Sequence, residues 1–199
     1  AGLQTPAIEE SFQQVDGFLD QLRIVSDNPE SVDLGYDYQF NPLSPVRKFQ
    51  SAISAEAILG KLFLGATPDD QHVRAVVDRL LIESPIAFPE SARKSGRAVE
   101  FAAIDGRSMN HAVKNIYAWY YITQVCHHVG GRVWREWNAD MCTLLPENQE
   151  AGGFQRGSWS PAHDLYGVKG GRLFTTALCA CMLETYYRHL SLYGTHEKN

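Results

Sequence analysis

Long apolar runs, clustered basic residues and paired cysteines are all missing from this chain, and each absence removes a class of function. The longest uncharged apolar stretches, residues 116–126 and 173–183, fall well short of the roughly 20 residues that cross a bilayer as a helix. No transmembrane segment is expected. The 18 Lys and Arg form no stripe and the net charge is −5, whereas a surface that tracks phosphates needs several cations on one face. Nucleic acid is not an expected partner. Cys126, Cys142, Cys179 and Cys181 lack the paired spacing of a zinc site or a redox motif, and they read as small buried hydrophobes within helices. Stability is not expected to depend on disulfides. The chain opens on Ala1-Gly2 with neither a basic n-region nor an apolar h-region, which reads as a mature form or an excised domain.

What is present is helical patterning, on a chain of 199 residues whose 44% hydrophobic and 21% charged content is ordinary for a folded domain. Residues 173–183 (LFTTALCACML) contain no charge and no helix breaker, so this helix is expected to have no solvent face and to be surrounded by other helices. Residues 49–64 and 116–129 share that character. Three amphipathic segments alternate with them. The first spans 6–25, with Thr5 as N-cap, Pro6 at the first helical position, and Ile8, Phe12, Val15, Phe18, Leu19 and Leu22 as one buried stripe. The second spans 67–83, capped by Thr67 with Asp69 and Asp70 in its first turn, and buries Val73, Val76, Val77, Leu80 and Leu81. The third spans 132–148 and places Trp134, Trp137, Met141, Leu144 and Leu145 on one side.

The order is therefore outer, inner, outer, inner, outer, inner, with a period of about 60 residues, which reads as stacked αα hairpins. The second helix is expected over 45–65, the fourth over 112–129 with Gly130-Gly131 closing it, and the sixth up to Tyr193-Gly194. Every outer-to-inner connection is long (27–44, 84–111, 150–171) and every inner-to-outer turn is short. The long loops then gather on one rim, opening onto the inner helices, and a binding site is expected there. The fold class is all-α, about six main helices in a single domain over 1–199.

The C-terminal half resembles the terpenoid-cyclase and protein-prenyltransferase superfamily of α/α toroids, and is most similar to bacterial prenyltransferase and squalene-oxidase repeat proteins. The resemblance is carried by Ala118-Trp119-Tyr120-Tyr121-Ile122-Thr123-Gln124, Trp134-Arg135-Glu136-Trp137-Asn138, Gly157-Ser158-Trp159-Ser160-Pro161 and the run from Gly170-Gly171-Arg172 through Leu178, with Glu184-Thr185-Tyr186-Tyr187-Arg188 closing the helix. It implies a partial toroid, the C-terminal part of a longer ring. The family's glutamine-tryptophan repeat is degenerate here: Gly157-Ser158-Trp159 is present, but Gln155 lies too close and Gln149 too far for the usual spacing.

The family's chemistry is not spelled out in this chain. A cyclase acid is an Asp-x-Asp-Asp motif; the nearest stretch, Thr67-Pro68-Asp69-Asp70, lacks its first Asp and is already explained as a helix cap. A prenyltransferase zinc site uses Asp, Cys and His, but Asp140 and Cys142 lie two apart on a helix and point about 200° from one another. Cys179 and Cys181 meet the same objection, and the adjacent His127 and His128 diverge by about 100°. No metal and no cofactor is expected. The ligand-binding candidates are the aromatic Tyr117, Tyr120, Tyr121 and Trp159, with Gln124, Asp164 and Arg172 as the polar groups nearest the rim.

The expected function is a toroid-type binding or scaffold module that takes a hydrophobic small molecule or a protein segment at the long-loop rim. An alternative is an enzyme of the isoprenoid class present here as a fragment, with Asp164 as its acid. A third is a carbohydrate-acting toroid with Tyr36, Tyr38, Trp159 and Tyr166 as sugar platforms. Three hairpins leave open flanks, so either a missing N-terminal half of the toroid or a homodimer is expected to cover them.

Overall fold

The computed structural model describes residues 5–24, 35–39, 48–88 and 114–192, with side chains through residue 185. Among these residues there are six α-helices and no strand. They are α1 (Pro6–Gln21), α2 (Ser51–Phe63), α3 (Gln71–Glu83), α4 (Ile116–Val129), α5 (Gly131–Glu147) and α6 (Gly167–Leu192), with a short 3-10 turn at Gly153–Gln155. The chain divides into two compact units, Ala1–Ile82 and Glu83–Asn199. The expected helix starts at Pro45 and Ala112, the end at Tyr193, and most of the 27–44 and 84–111 connections lie outside the described residues.

Unit 1 is built around Tyr36, which is wholly buried. Its N–H donates to Ser54 Oγ on α2 at 2.9 Å and its hydroxyl lies 2.9 Å from His72 Nε2 on α3, so one side chain joins the two helices. Ile58 from α2 and Val73, Val76, Val77 and Leu80 from α3 complete the core around it, with Leu81 half-buried at its edge. The expected single face of α3 is present. Its start is not where the Thr67-Pro68 pattern placed it. Thr67–Asp70 is a turn, Asp70 N to Thr67 O at 3.0 Å, and the Asp70 carboxylate accepts from His72 N at 2.8 Å and Val73 N at 3.2 Å, so Asp70 is the cap and the helix begins at Gln71. α2 likewise begins later than expected, because Gln50 is extended and the helix opens at Ser51.

α1 departs furthest from expectation. Thr5 and Pro6 start it as the sequence predicts, with Thr5 Oγ1 accepting from Ile8 N. Yet no residue of the helix is buried, it ends at Gln21, and Phe12, Val15 and Phe18 stand about half exposed. Polar contacts hold it instead. Lys61 of α2, itself buried, donates to Asp16 Oδ1 at 2.7 Å and Asp20 Oδ1 at 2.6 Å, and Leu19 packs over Gly60. The chain after α1 then pairs with residues 35–37 in an isolated antiparallel bridge, Ile24 N to Gly35 O at 2.8 Å and Asp37 N to Leu22 O at 3.0 Å.

Unit 2 is α4 packed against both α5 and α6. No residue of α4 is exposed, as its composition predicts for an inner helix. Gly130 (φ 70°) and Gly131 (φ 58°) turn the chain directly from α4 into α5, a left-handed pair that other residues adopt only with strain. Trp137, Met141 and Leu145 of α5 are buried against Trp119, Ile122, Val125 and Cys126, with Trp134 and Leu144 half-buried at the edge. Two buried polar groups are joined between them: Trp137 Nε1 donates to Thr123 Oγ1 at 2.9 Å, and that hydroxyl donates to Trp119 O at 2.7 Å.

α6 opens with a first turn from Gly167 that breaks at Gly171 (φ 74°), and its long helical part follows Gly171, as the sequence predicts. One expectation is corrected: this helix has a solvent face, because Leu173, Ala177, Ala180 and Glu184 recur at helical spacing and all are exposed, while Thr175, Cys179 and Met182 are buried on the opposite side. Small alanines in the middle of that stripe hid it from a reading based on the lack of charge. The cysteines are all free, with Cys126 and Cys179 buried, Cys181 half-buried and Cys142 exposed, so Cys142 is not the buried hydrophobe expected.

Candidate ligand-binding surface

The site begins with how the first turn of α4 is fixed. Asn115 Oδ1 accepts from Ala118 N at 3.1 Å and Asp164 Oδ2 accepts from Ile116 N at 2.8 Å, so two of the helix's orphan amides are satisfied, one from a residue far along the chain. Lys114 pairs with the same segment in an isolated parallel bridge, its N–H donating to His163 O at 2.6 Å and its carbonyl accepting from Leu165 N at 2.8 Å. The buried Lys114 ammonium donates to Ser160 O at 2.7 Å and lies 5.4 Å from the Phe88 ring centre. Asp164 Oδ1 in turn accepts from Tyr166 N at 3.1 Å and from Gly167 N, which starts α6. A side chain at Gly167 has no room, because a Cβ there would sit 2.8 Å from Asp164 Cβ and 3.0 Å from Pro161 O.

This knot places five rings side by side. Tyr117, Tyr120 and Tyr121 share one face of α4 by their three- and four-residue spacing. Tyr117 meets Tyr121 at 5.1 Å and Tyr166 at 5.3 Å, both edge to face, and stacks on Phe174 of α6 at 6.4 Å; Tyr120 meets Tyr121 at 5.0 Å. None of the five is buried and Tyr166 is 40% exposed, so the cluster is a surface and not part of the core. Phe174 was not among the expected site residues. Its position within the apolar 173–183 run masked it.

The other expected site residues are used inside the fold. Gln124 Nε2 donates to Thr185 Oγ1 at 2.9 Å, tying α4 to α6. Arg172 Nη1 donates to Ser158 Oγ at 3.0 Å and to Glu150 Oε1 at 3.4 Å, tying the 150–158 loop to α6. Trp159 is buried, its Nε1 donating to Leu145 O and its N–H to Thr176 Oγ1. Asp164 is 2% exposed, and its hydrogen bonds to Ile116, Tyr166 and Gly167 all run to backbone amides. The structure thus brings Tyr117, Tyr120 and Tyr121 together, places Asp164 at the amides that begin α4 and α6, and leaves Gln124, Arg172 and Trp159 as separate ties.

Two further groupings are resolved by geometry. Tyr36 and Trp159 are buried and cannot serve as sugar platforms, whereas Tyr38 is 67% exposed in unit 1. The His127 and His128 rings are 5.9 Å apart and nearly perpendicular, with His127 set edge-on against Trp134 at 4.9 Å. Among the described residues no three His, Cys, Asp or Glu side chains converge on a point that a metal ion would occupy. Burial pushes the Cys179 thiol up to about 12, with Lys114 lowering it and Asp164 raising it, and pushes the Cys126 thiol well above its ordinary value.

Chemically, the arrangement offers half-exposed aromatic rings, while its carboxylate is spent on backbone amides. Compared with protein-family models, curated proteins and solved structures, the chain matches none.

Proposed function

We propose that this chain is a binding or scaffold module of α/α-toroid type that holds an apolar ligand or a protein segment against the tyrosine surface at its long-loop rim. The observation that carries the reading is a division of labour. The five rings of Tyr117, Tyr120, Tyr121, Tyr166 and Phe174 stay accessible, while Asp164, Arg172 and Gln124 are each bonded within the chain. Aromatic surface with few polar groups takes apolar ligands and orders them weakly. The enzyme reading required Asp164 as an acid, and that carboxylate instead accepts from the amides that begin α4 and α6.

Calorimetric titration with farnesol and with a proline-rich peptide tests the proposal, using Tyr121→Ala as the comparison. Binding of either probe, weakened about tenfold by the substitution, is the expected result, since the ring contributes on the order of 1–2 kcal/mol of contact. If neither probe binds, the reading fails. Turnover of farnesyl diphosphate or squalene detected by mass spectrometry would replace it with the isoprenoid-class enzyme.

A further inference from the structure

We propose that the end of unit 2 formed by residues 150–173 seats on an anionic lipid surface. Among the described residues of this unit, the large apolar side chains left exposed are Phe154, Tyr166, Val168 and Leu173, and all four fall in the α5–α6 connection or the first turns of α6. The other described residues of the unit have their large apolar groups at least half covered. Exposure gathered at one end marks an interaction site in a way that scattered single residues do not.

Phe154 is fully exposed, yet the loop that carries it is closed on itself. Glu150 N donates to Ser158 O at 2.9 Å, Gly157 N to Glu150 O at 2.8 Å and Gln149 Nε2 to Gly157 O at 2.7 Å. Arg172 then fastens Ser158 to α6. The backbone that carries the ring is already ordered, so burying the ring against a partner costs mainly its own rotamer freedom.

Charge selects the partner. Arg156 beside Phe154 and Lys169 beside Val168 are both exposed, as is Glu147 at the end of α5, while the Glu150 carboxylate is paired with Arg172. Aromatic and aliphatic groups that enter the headgroup boundary, with cations beside them that meet anionic headgroups, are the two components of interfacial attachment. The side chains also protrude from a loop tip and a helix start, which suits a fluid surface that closes around them better than a rigid one. Tyr166 aside, none of them belongs to the tyrosine surface, so failure of either reading leaves the other standing.

Flotation of the full chain with phosphatidylcholine vesicles, with and without phosphatidylserine, tests this. The chain is expected to float with the anionic vesicles, to float less with phosphatidylcholine alone, and to release in high salt. Phe154→Gln should weaken the association about tenfold with circular dichroism unchanged, since the ring is fully exposed. Arg156→Glu with Lys169→Glu should remove the preference for phosphatidylserine. No flotation with either vesicle, or flotation unaltered by Phe154→Gln, overturns the proposal. So does self-association without lipid that light scattering detects and Phe154→Gln abolishes, which makes this end an interface between two copies.

Discussion

The indole N–H of Trp159 donates to the carbonyl of Leu145 at 2.7 Å, which fastens the long α5–α6 connection to the last turn of α5. Trp159→Ala is expected to cost about 3 kcal/mol, the usual order for truncating a buried aromatic. Trp159→Phe keeps most of the packing and is expected to cost about 1 kcal/mol, because the Leu145 carbonyl loses the indole donor and keeps only the Asn148 amide. Urea denaturation of both variants measures this; midpoints equal to the parent's would mean that the loop is held by Arg172 and its own backbone.

Asp164 is expected to be more sensitive to removal than to neutralisation. Asp164→Ala leaves amides of Ile116, Tyr166 and Gly167 without their acceptor and should cost about 3 kcal/mol, whereas Asp164→Asn retains one acceptor oxygen and should cost about half of that. Gly167→Ala reports on the same place: helix propensity favours alanine, but the added Cβ would meet Asp164 and the Pro161 carbonyl. Thermal melts should show a net loss of stability, and a gain would mean that the α6 start shifts without difficulty.

Buried thiols give a pH prediction. Because burial raises Cys179 to about 12 and Cys126 higher still, both stay protonated in the folded chain while the unfolded chain ionises near its ordinary value of 9.0. The folded pKa is the raised one, so this contribution to stability is complete below about pH 9 and falls as pH rises from there towards 12. Replacing Cys179 and Cys126 with alanine should flatten that decline in denaturation midpoints. At pH 8 the exposed Cys142 should react with a maleimide first, with the two buried thiols reacting only on unfolding; fast native labelling of Cys179 would contradict its burial.

Lys61 is the tie between α1 and α2, and its loss should release α1. With Lys61→Ala the carboxylates of Asp16 and Asp20 lose the ammonium they share, at a cost of about 2 kcal/mol given that both carboxylates are near half exposed. Hydrogen exchange is expected to accelerate about thirtyfold across residues 6–21 and to leave α4 and α5 unaltered. Equal protection of α1 in the variant would show that Leu19 and the bridge at Tyr36 suffice.

Helix identity was legible because charge and periodicity carry it: the stripes of α3 and α5 and the enclosed character of α4 all appear in the structure. Ends were less legible, since Thr67-Pro68 and Asp70 are both good starting signals and only the closing of hydrogen bonds decides for Asp70. Burial of α1 was misread because an apolar stripe states what a helix is able to bury, while what covers it depends on the rest of the fold. At the candidate surface the tyrosines were visible by spacing alone. The roles of Asp164 and Arg172 were not, since their partners Ile116 and Glu150 lie 48 and 22 positions away in sequence and no local pattern announces such a pairing.

The cap on α4 also has a history in time. Asp164 follows Ile116 by 48 residues, so during synthesis the helix emerges before the carboxylate that completes its first turn exists. At roughly 5–20 residues per second that interval lasts about 2–10 s. Throughout it the Ile116 amide has water for a partner and Tyr117 lacks the rings of Tyr166 and Phe174 that later flank it. The nascent chain therefore passes through a stage in which the start of α4 lacks both its carboxylate cap and the rings that flank Tyr117 in the folded chain.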